Sequence, residues 1–275
     1  MRTPVNRKRV VPLVVVPLVV SFACTFVSAQ SDKSSSRSLT PIQIAIENQR
    51  ERLASSDVEE RRDALMRLAN LHVAEASRAA VPSLSDPSPI IRASAAKAVL
   101  SLDPNESVSV LLPLLKDKDE FVRREVAYAL GRTRSRSATA ALSETLLTDK
   151  EDGVRAAAAV ALGHIADEAA VVSLAGTLAP DLAGRGNSKR KREQNVFVLR
   201  AAAVSLGQIG SRAGTPALIS ALTNEKFDSD VRREAARSLG MIGDPAAVPA
   251  LRAASTASDP FLSQLAYEAL RKLRT

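Results

Sequence analysis

The chain has no tryptophan, one cysteine (Cys24), two histidines (His72 and His164), and aromatic residues at only 3%. Each scarcity removes a class of chemistry. So few aromatics disfavour the stacking platforms on which bases or sugars lie. One cysteine forms neither an intramolecular disulfide nor a thiolate metal site. The two histidines stand apart, and both read as structural or surface groups. Glycine-rich phosphate loops are missing as well. The nearest approach, residues 184–188 (GRGNS), has two glycines and lacks a flanking strand. No catalytic, cofactor-binding or metal-ligating residue is expected.

The N-terminus reads as a targeting segment. Arg2, Arg7, Lys8 and Arg9 precede an apolar run over residues 10–23, and Val27-Ser28-Ala29 is a small-residue cleavage site. Residues 1–29 therefore read as a bacterial signal peptide, and the protein is expected to be exported, to the periplasm or beyond. Two other readings stay open. The run is long enough in principle to span a membrane, although Pro12 and Pro17 interrupt it. Cys24 is a candidate for lipidation, although Ser21-Phe22-Ala23 before it makes a poor lipobox. Membrane association is expected only if Cys24 is lipidated or the segment is retained. Cleavage after Ala29 removes the only cysteine, which suits an oxidising compartment. It also removes four of the 38 basic residues and none of the 30 acidic ones, so net charge falls from +8 to +4. That weakens a nucleic-acid reading, and no nucleic acid is expected as partner.

Residues 30–40 form a serine-rich linker that ends on Thr40-Pro41, a helix N-cap and first helical residue. From there to residue 275 the chain repeats. With the arginine of Asp149–Ile165 (DKEDGVRAAAAVALGHI) as anchor, matching positions fall at Arg61, Arg92, Arg123, Arg155, Leu199, Arg232 and Ser263. Spacing of this kind marks a solenoid. Four residues before each anchor stand Asp57, Ser88, Asp119, Glu151, Asn195, Asp228 and Asp259, and six of these seven are favoured N-caps. Apolar residues one before, seven after and ten after the anchor place one stripe on one helix face. Gly131, Gly163, Gly207 and Gly240 recur near the end of this helix and ease either its packing or its exit. A second helix precedes each capped one. Pro82 and Pro113 fall inside it and predict a kink, whereas Pro216 and Pro249 sit at helix starts. Asp86, Asp117 and Asp149, six before their anchors, are expected to cap the turn or pair with arginines of adjacent copies.

The Asp-x5-Arg spacing, the Ala-Ala pair and the Ala-Leu-Gly-x-Ile ending resemble HEAT-like repeats of the phycobilisome-lyase type. The matches are clearest in Asp117–Gly131, Asp149–Ile165 and Asp230–Ala246. The resemblance covers about residues 41–275. It implies an all-α, right-handed solenoid of about seven antiparallel helix pairs, with the capped helix of each pair on the concave side, the usual binding face. It also brings two enzymatic precedents that this chain departs from. HEAT-like metal hydroxylases use repeated His-Glu pairs, and neither His72 nor His164 is followed by glutamate. No position matches a residue specific to the bilin lyases.

Two basic features remain. Directly after the anchors come Arg62, Arg124, Arg200 and Arg233, a discontinuous line that Arg132 partly fills. The step from Arg155 to Leu199 holds about twelve extra residues, a loop insertion at 179–194 that concentrates Arg185, Lys189, Arg190, Lys191 and Arg192. Each reads either as solvated surface or as a contact for an anionic partner. The function expected is an exported, non-enzymatic scaffold or adaptor that binds a protein, an acidic one on these features. The alternatives are an enzyme or enzyme subunit of the lyase or hydroxylase type, or an envelope-anchored lipoprotein with a structural role. Intact-mass measurement on protein exported by a bacterial host should find a mature chain beginning at Gln30. A chain beginning at a lipid-modified Cys24 would contradict the signal-peptide assignment.

Overall fold

The computed structural model describes residues 39–179 and 195–273. The N-terminal segment expected to be a signal peptide, Cys24, most of the expected linker and the basic residues Arg185–Arg192 lie outside the described residues. All regular structure within them is helical. The first helices of the pairs are α1 (Pro41–Leu53), α3 (Ala74–Ala80), α5 (Pro104–Leu111), α7 (Thr139–Thr148), α9 (Val171–Leu178), α11 (Thr215–Thr223) and α13 (Val248–Ala254). The capped helices are α2 (Val58–Asn70), α4 (Pro89–Ala98), α6 (Glu120–Thr133), α8 (Asp152–Ile165), α10 (Val196–Ile209), α12 (Ser229–Ile242) and α14 (Pro260–Lys272). This gives seven pairs, in the register that the anchors predict. The loss of the anchor arginine at Leu199 does not disturb α10, because the Asn195 cap accepts the Phe197 amide and Leu199 itself is buried.

Local chemistry explains each boundary. All seven expected residues occupy the N-cap of a capped helix, and five accept an amide of the first turn through the side chain. The prolines inside the first helices mark the place where the helix changes type. At Pro82 and Pro113 the α-helix passes into 3-10 turns over Val81–Ser85 and Leu112–Lys116, where a missing N–H and a tighter wind are tolerated. Asp103 caps α5 ahead of Pro104, so this helix starts earlier than the apolar pattern alone suggests.

The recurring glycines serve packing. A Cβ on Gly131 would stand 2.6 Å from Ala161 Cα, and one on Gly207 would stand 3.0 Å from Ser238 Cα. Each glycine therefore lets its helix press on the backbone of the next capped helix. The exits fall a few residues later, at left-handed positions held by glycine only in Gly210 and Gly243. Arg134 and Ala166 take the same conformation in α6 and α8. Contact between neighbouring capped helices is far more extensive than between neighbouring first helices. Two rows spaced unequally curve towards the closer row, so the capped helices line the inner side. The core lies between the rows, with Leu65, Ile91, Leu130, Leu162, Leu206 and Leu239 buried, each contributing about 1.5–3 kcal/mol.

One edge of the array carries a ladder of ion pairs. Arg61 reaches Asp86 through Nε and Nη2 at 3.0 and 3.2 Å. Arg92 does the same to Asp117 at 2.7 and 2.8 Å, and Arg123 to Asp149 at 2.7 and 3.1 Å. Each Nη1 also donates to two carbonyls of its own repeat's turn. The aspartates accept the amides of Ser88, Asp119 and Glu151. Both expected roles of these aspartates, turn cap and inter-repeat pair, are thus filled by one side chain. The Arg92 and Arg123 pairs are nearly all buried, so removing one partner leaves a desolvated charge.

The ladder then changes. Arg155 lies near Asp152 of its own turn, and its buried Nε has no hydrogen-bond partner among the described residues. Twenty-six residues on from it, the register reaches Asp181, which lies outside the described residues. In the sixth pair Arg232 donates to the Leu222 carbonyl, and it is Arg233 that takes Asp259 of the next copy, at 2.9 and 3.0 Å.

Burial pushes the Asp149 carboxyl up, but the Arg123 hydrogen bonds, the Glu151 amide and the charges of Arg123 and Lys150 outweigh it and hold it below its usual value. A carboxyl lowered on folding stabilises above its unfolded value, and that stability is lost as pH falls through the folded one. The Asp117 carboxyl is held low in the same way by Arg92, so Arg92→Ala should lower unfolding free energy by about 3–5 kcal/mol at neutral pH, since it takes the guanidinium from a buried carboxylate. The deficit relative to wild type should shrink as pH falls below about 4. Urea denaturation followed by circular dichroism measures both. The same method should show Gly131→Ala less stable by about 1–3 kcal/mol, the cost of an overpacked contact.

Candidate partner-binding face

On a capped helix the residues two before and one, five and nine after the anchor fall within one arc, opposite the side that meets the first helices. They form the outward arc of the inner row, exposed or half-buried except at Ala93. On α6 these are Phe121, Arg124, Tyr128 and Arg132, and on α10 Phe197, Arg200, Val204 and Gln208. On α8, between them, they are Gly153, Ala156, Val160 and His164. Exposed aromatics at the first position were not singled out by sequence, yet Phe197 is 70% and Phe261 67% accessible. Phe121 and Phe197 stand three before Arg124 and Arg200, and that spacing was the available signal.

The arginines of this face differ in how far they are committed. Arg124 lies over the Phe121 ring at 5.4 Å and stands 3.9 Å from Glu125. Its side chain also leans towards the next helix, where a Cβ on Gly153 would meet Arg124 Cδ at 3.7 Å and Nη1 at 3.9 Å. Arg200 is half exposed, and its nearest carboxylate is Glu234 at 3.9 Å. Arg132 is exposed and makes no hydrogen bond or ion pair among the described residues. Arg62 pairs with Glu59 on its own helix. Arg233 is the most engaged: it binds Asp259, also Asp230 at 3.0 Å, and lies 5.0 Å from the Phe261 ring. Hydrogen bonds from Arg233 hold the Asp259 carboxyl below its usual value. Arg233 is therefore an inter-repeat tie as well as a surface charge, and the column splits into structural and uncommitted members.

Two hollows accompany these features. A cleft of about 660 Å³ opens between α5 and α7 beside Pro113, with Arg123 and Asp149 in its wall. Its charged groups carry both signs, and Asp117, Arg123 and Asp149 belong to the ladder. A smaller one, about 290 Å³, lies on the inner row between Arg200, Arg237 and Phe261, where Glu234 bridges the two arginines at 3.9 and 3.4 Å. His72 and His164 are both exposed. Among the described residues no group of three His, Cys, Asp or Glu is placed to hold a metal ion, and no helix is long and apolar enough to cross a membrane.

A stack of helix pairs with capped inner helices and a repeating Asp–Arg tie defines an α-helical repeat protein. The family model for HEAT repeats matches residues 46–130, 77–163, 108–183 and 190–271, and the chain belongs to the HEAT-repeat family. Among solved structures, an engineered protein is 24% identical over 84% of this chain and 68% of its own, with a TM-score of 0.52. Phycocyanin lyase from Nostoc is 23% identical over 94% of each chain, with a TM-score of 0.47. Human deoxyhypusine hydroxylase is 20% identical over 83% and 84%, with a TM-score of 0.43. These likenesses concern the fold alone. No curated protein matches the chain.

Proposed function

We propose that the protein is an exported, non-enzymatic scaffold whose inner helix row binds an acidic segment of a partner protein. The observation that supports this reading is the set of arginines on the central inner face that the fold does not consume. Arg123 and its counterparts hold the array together, whereas Arg124, Arg132 and Arg200 are turned out of the core and lack a close bidentate carboxylate. Arginine forks match carboxylates in paired hydrogen bonds, and a row of them spaced by helix packing suits an extended acidic chain. Export rests on the N-terminal sequence pattern, and the basic segment Arg185–Arg192 is a second place for the same kind of partner.

The test is a charge reversal that spares the structural arginines. Arg124→Glu combined with Arg200→Glu should weaken binding of fluorescein-labelled decaglutamate by at least about tenfold at physiological ionic strength. The melting temperature should hold within a few degrees, because neither residue belongs to the ladder. Equal anisotropy titrations for wild type and the double variant would overturn the reading and shift attention to the loop.

A further inference from the structure

The capped helices are not equivalent on their inner face. In six of the seven, at least one of the four outward positions is Lys, Arg, Asp or Glu; in α8 none is. Its positions are Gly153, Ala156, Val160 and His164, and two of them are the smallest side chains available. Gly153 is exposed, and a Cβ there would meet only the Arg124 side chain. Ala156 and Val160 are half-buried. On one side of this strip stand Tyr128, Arg124 and Arg132 of α6, and on the other Phe197 and Arg200 of α10. The inner face thus holds a low apolar strip with longer side chains on both flanks, and the flanking charges are positive.

The nearby acidic groups offset that charge only in part. Asp152 is turned to Arg155, and Glu125 pairs with Lys97 at 2.7 Å on the α4 side. Glu125 and Glu234 each stand 3.9 Å from a rim arginine, Arg124 and Arg200, and neither forms a paired hydrogen bond with it.

From this juxtaposition we infer that α8 is the anchoring position of the inner face. It takes one large apolar side chain of an acidic peptide over Gly153, Ala156 and Val160, while carboxylates on either side of that residue meet Arg124 or Arg132 and Arg200. Two features of the strip favour this occupant. An apolar floor without charge gains from covering by an apolar side chain, and anchors of this kind sit at the centre of a polar rim. The rim arginines are separated by the width of one helix on each side, so the carboxylates flank the anchor rather than replace it. The inference rests on the acidic-partner reading and adds to it a defined anchor.

Two synthetic heptapeptides separate the claims without altering the protein: Glu-Glu-Glu-Trp-Glu-Glu-Glu and the same peptide with alanine at the centre. Anisotropy titration of the wild-type chain should give about tenfold tighter binding for the tryptophan peptide. Ala156→Glu, which places a charge on the strip, should remove that preference and leave the alanine peptide bound through the arginines, only moderately weakened. A folded Ala156→Glu chain that keeps the tenfold preference would overturn the anchor, as would equal binding of the two peptides to wild type. If neither peptide binds, the acidic-partner reading itself fails, and the anchor with it.

Discussion

The array depends on a buried guanidinium that serves two repeats at once. In Arg92 and Arg123 one fork binds the aspartate of the next repeat, while the remaining nitrogen closes the turn of its own. The turn cannot take another shape without stranding these carbonyls, and the next repeat cannot slide without stranding a buried carboxylate. Breaking either half leaves a desolvated charge, which is why the pair acts as a specification of geometry more than as a reservoir of attraction. The close approach of the capped helices at their glycines does not require this tie, since Gly207 meets the Ser238 backbone although Leu199 has replaced the anchor arginine of α10.

Most of this was legible in the chain because a repeat shows the same physical requirement seven times. A cap, an apolar stripe and a small residue at fixed offsets are each weak signals once and strong ones in a column. Legibility ended where a requirement was met by a different residue. Arg232 holds the anchor position, yet Arg233 makes the inter-repeat pair, because the carboxylate has moved from the position six before the next anchor to the cap residue Asp259. Arg134 and Ala166 enter the left-handed region with no glycine to announce it. The candidate face was readable as a column of arginines, but not the division between Arg233, which the fold uses, and Arg132, which it leaves alone. That division depends on neighbours in the next helix, which column statistics do not contain.

The same comparison of columns shows how a uniform scaffold acquires one distinctive place. The core constrains the buried face of every capped helix, and the ladder that of the first three, while the opposite arc is left unconstrained. Variation therefore accumulates there, and on that arc α8 is the one capped helix without a Lys, Arg, Asp or Glu. A family defined by its buried pattern shows the fold plainly and is nearly silent on the residues of the inner arc.

The insertion after α9 has a consequence for how the chain finds its structure. Ser205 of α10 donates to the Ala159 carbonyl of α8 across 46 residues, whereas the equivalent bond from Ser238 to Ala203 spans 35. The entropy of closing a flexible loop grows only with the logarithm of its length, about 0.6 kcal/mol for each doubling. The longer span at this one junction therefore costs a small fraction of a kcal/mol. Since each unit otherwise meets mainly its neighbours, a nucleus formed on either side of the junction can propagate across it with little delay. A solenoid of this kind can carry extra chain between two helices of a pair and keep both its register and its folding route.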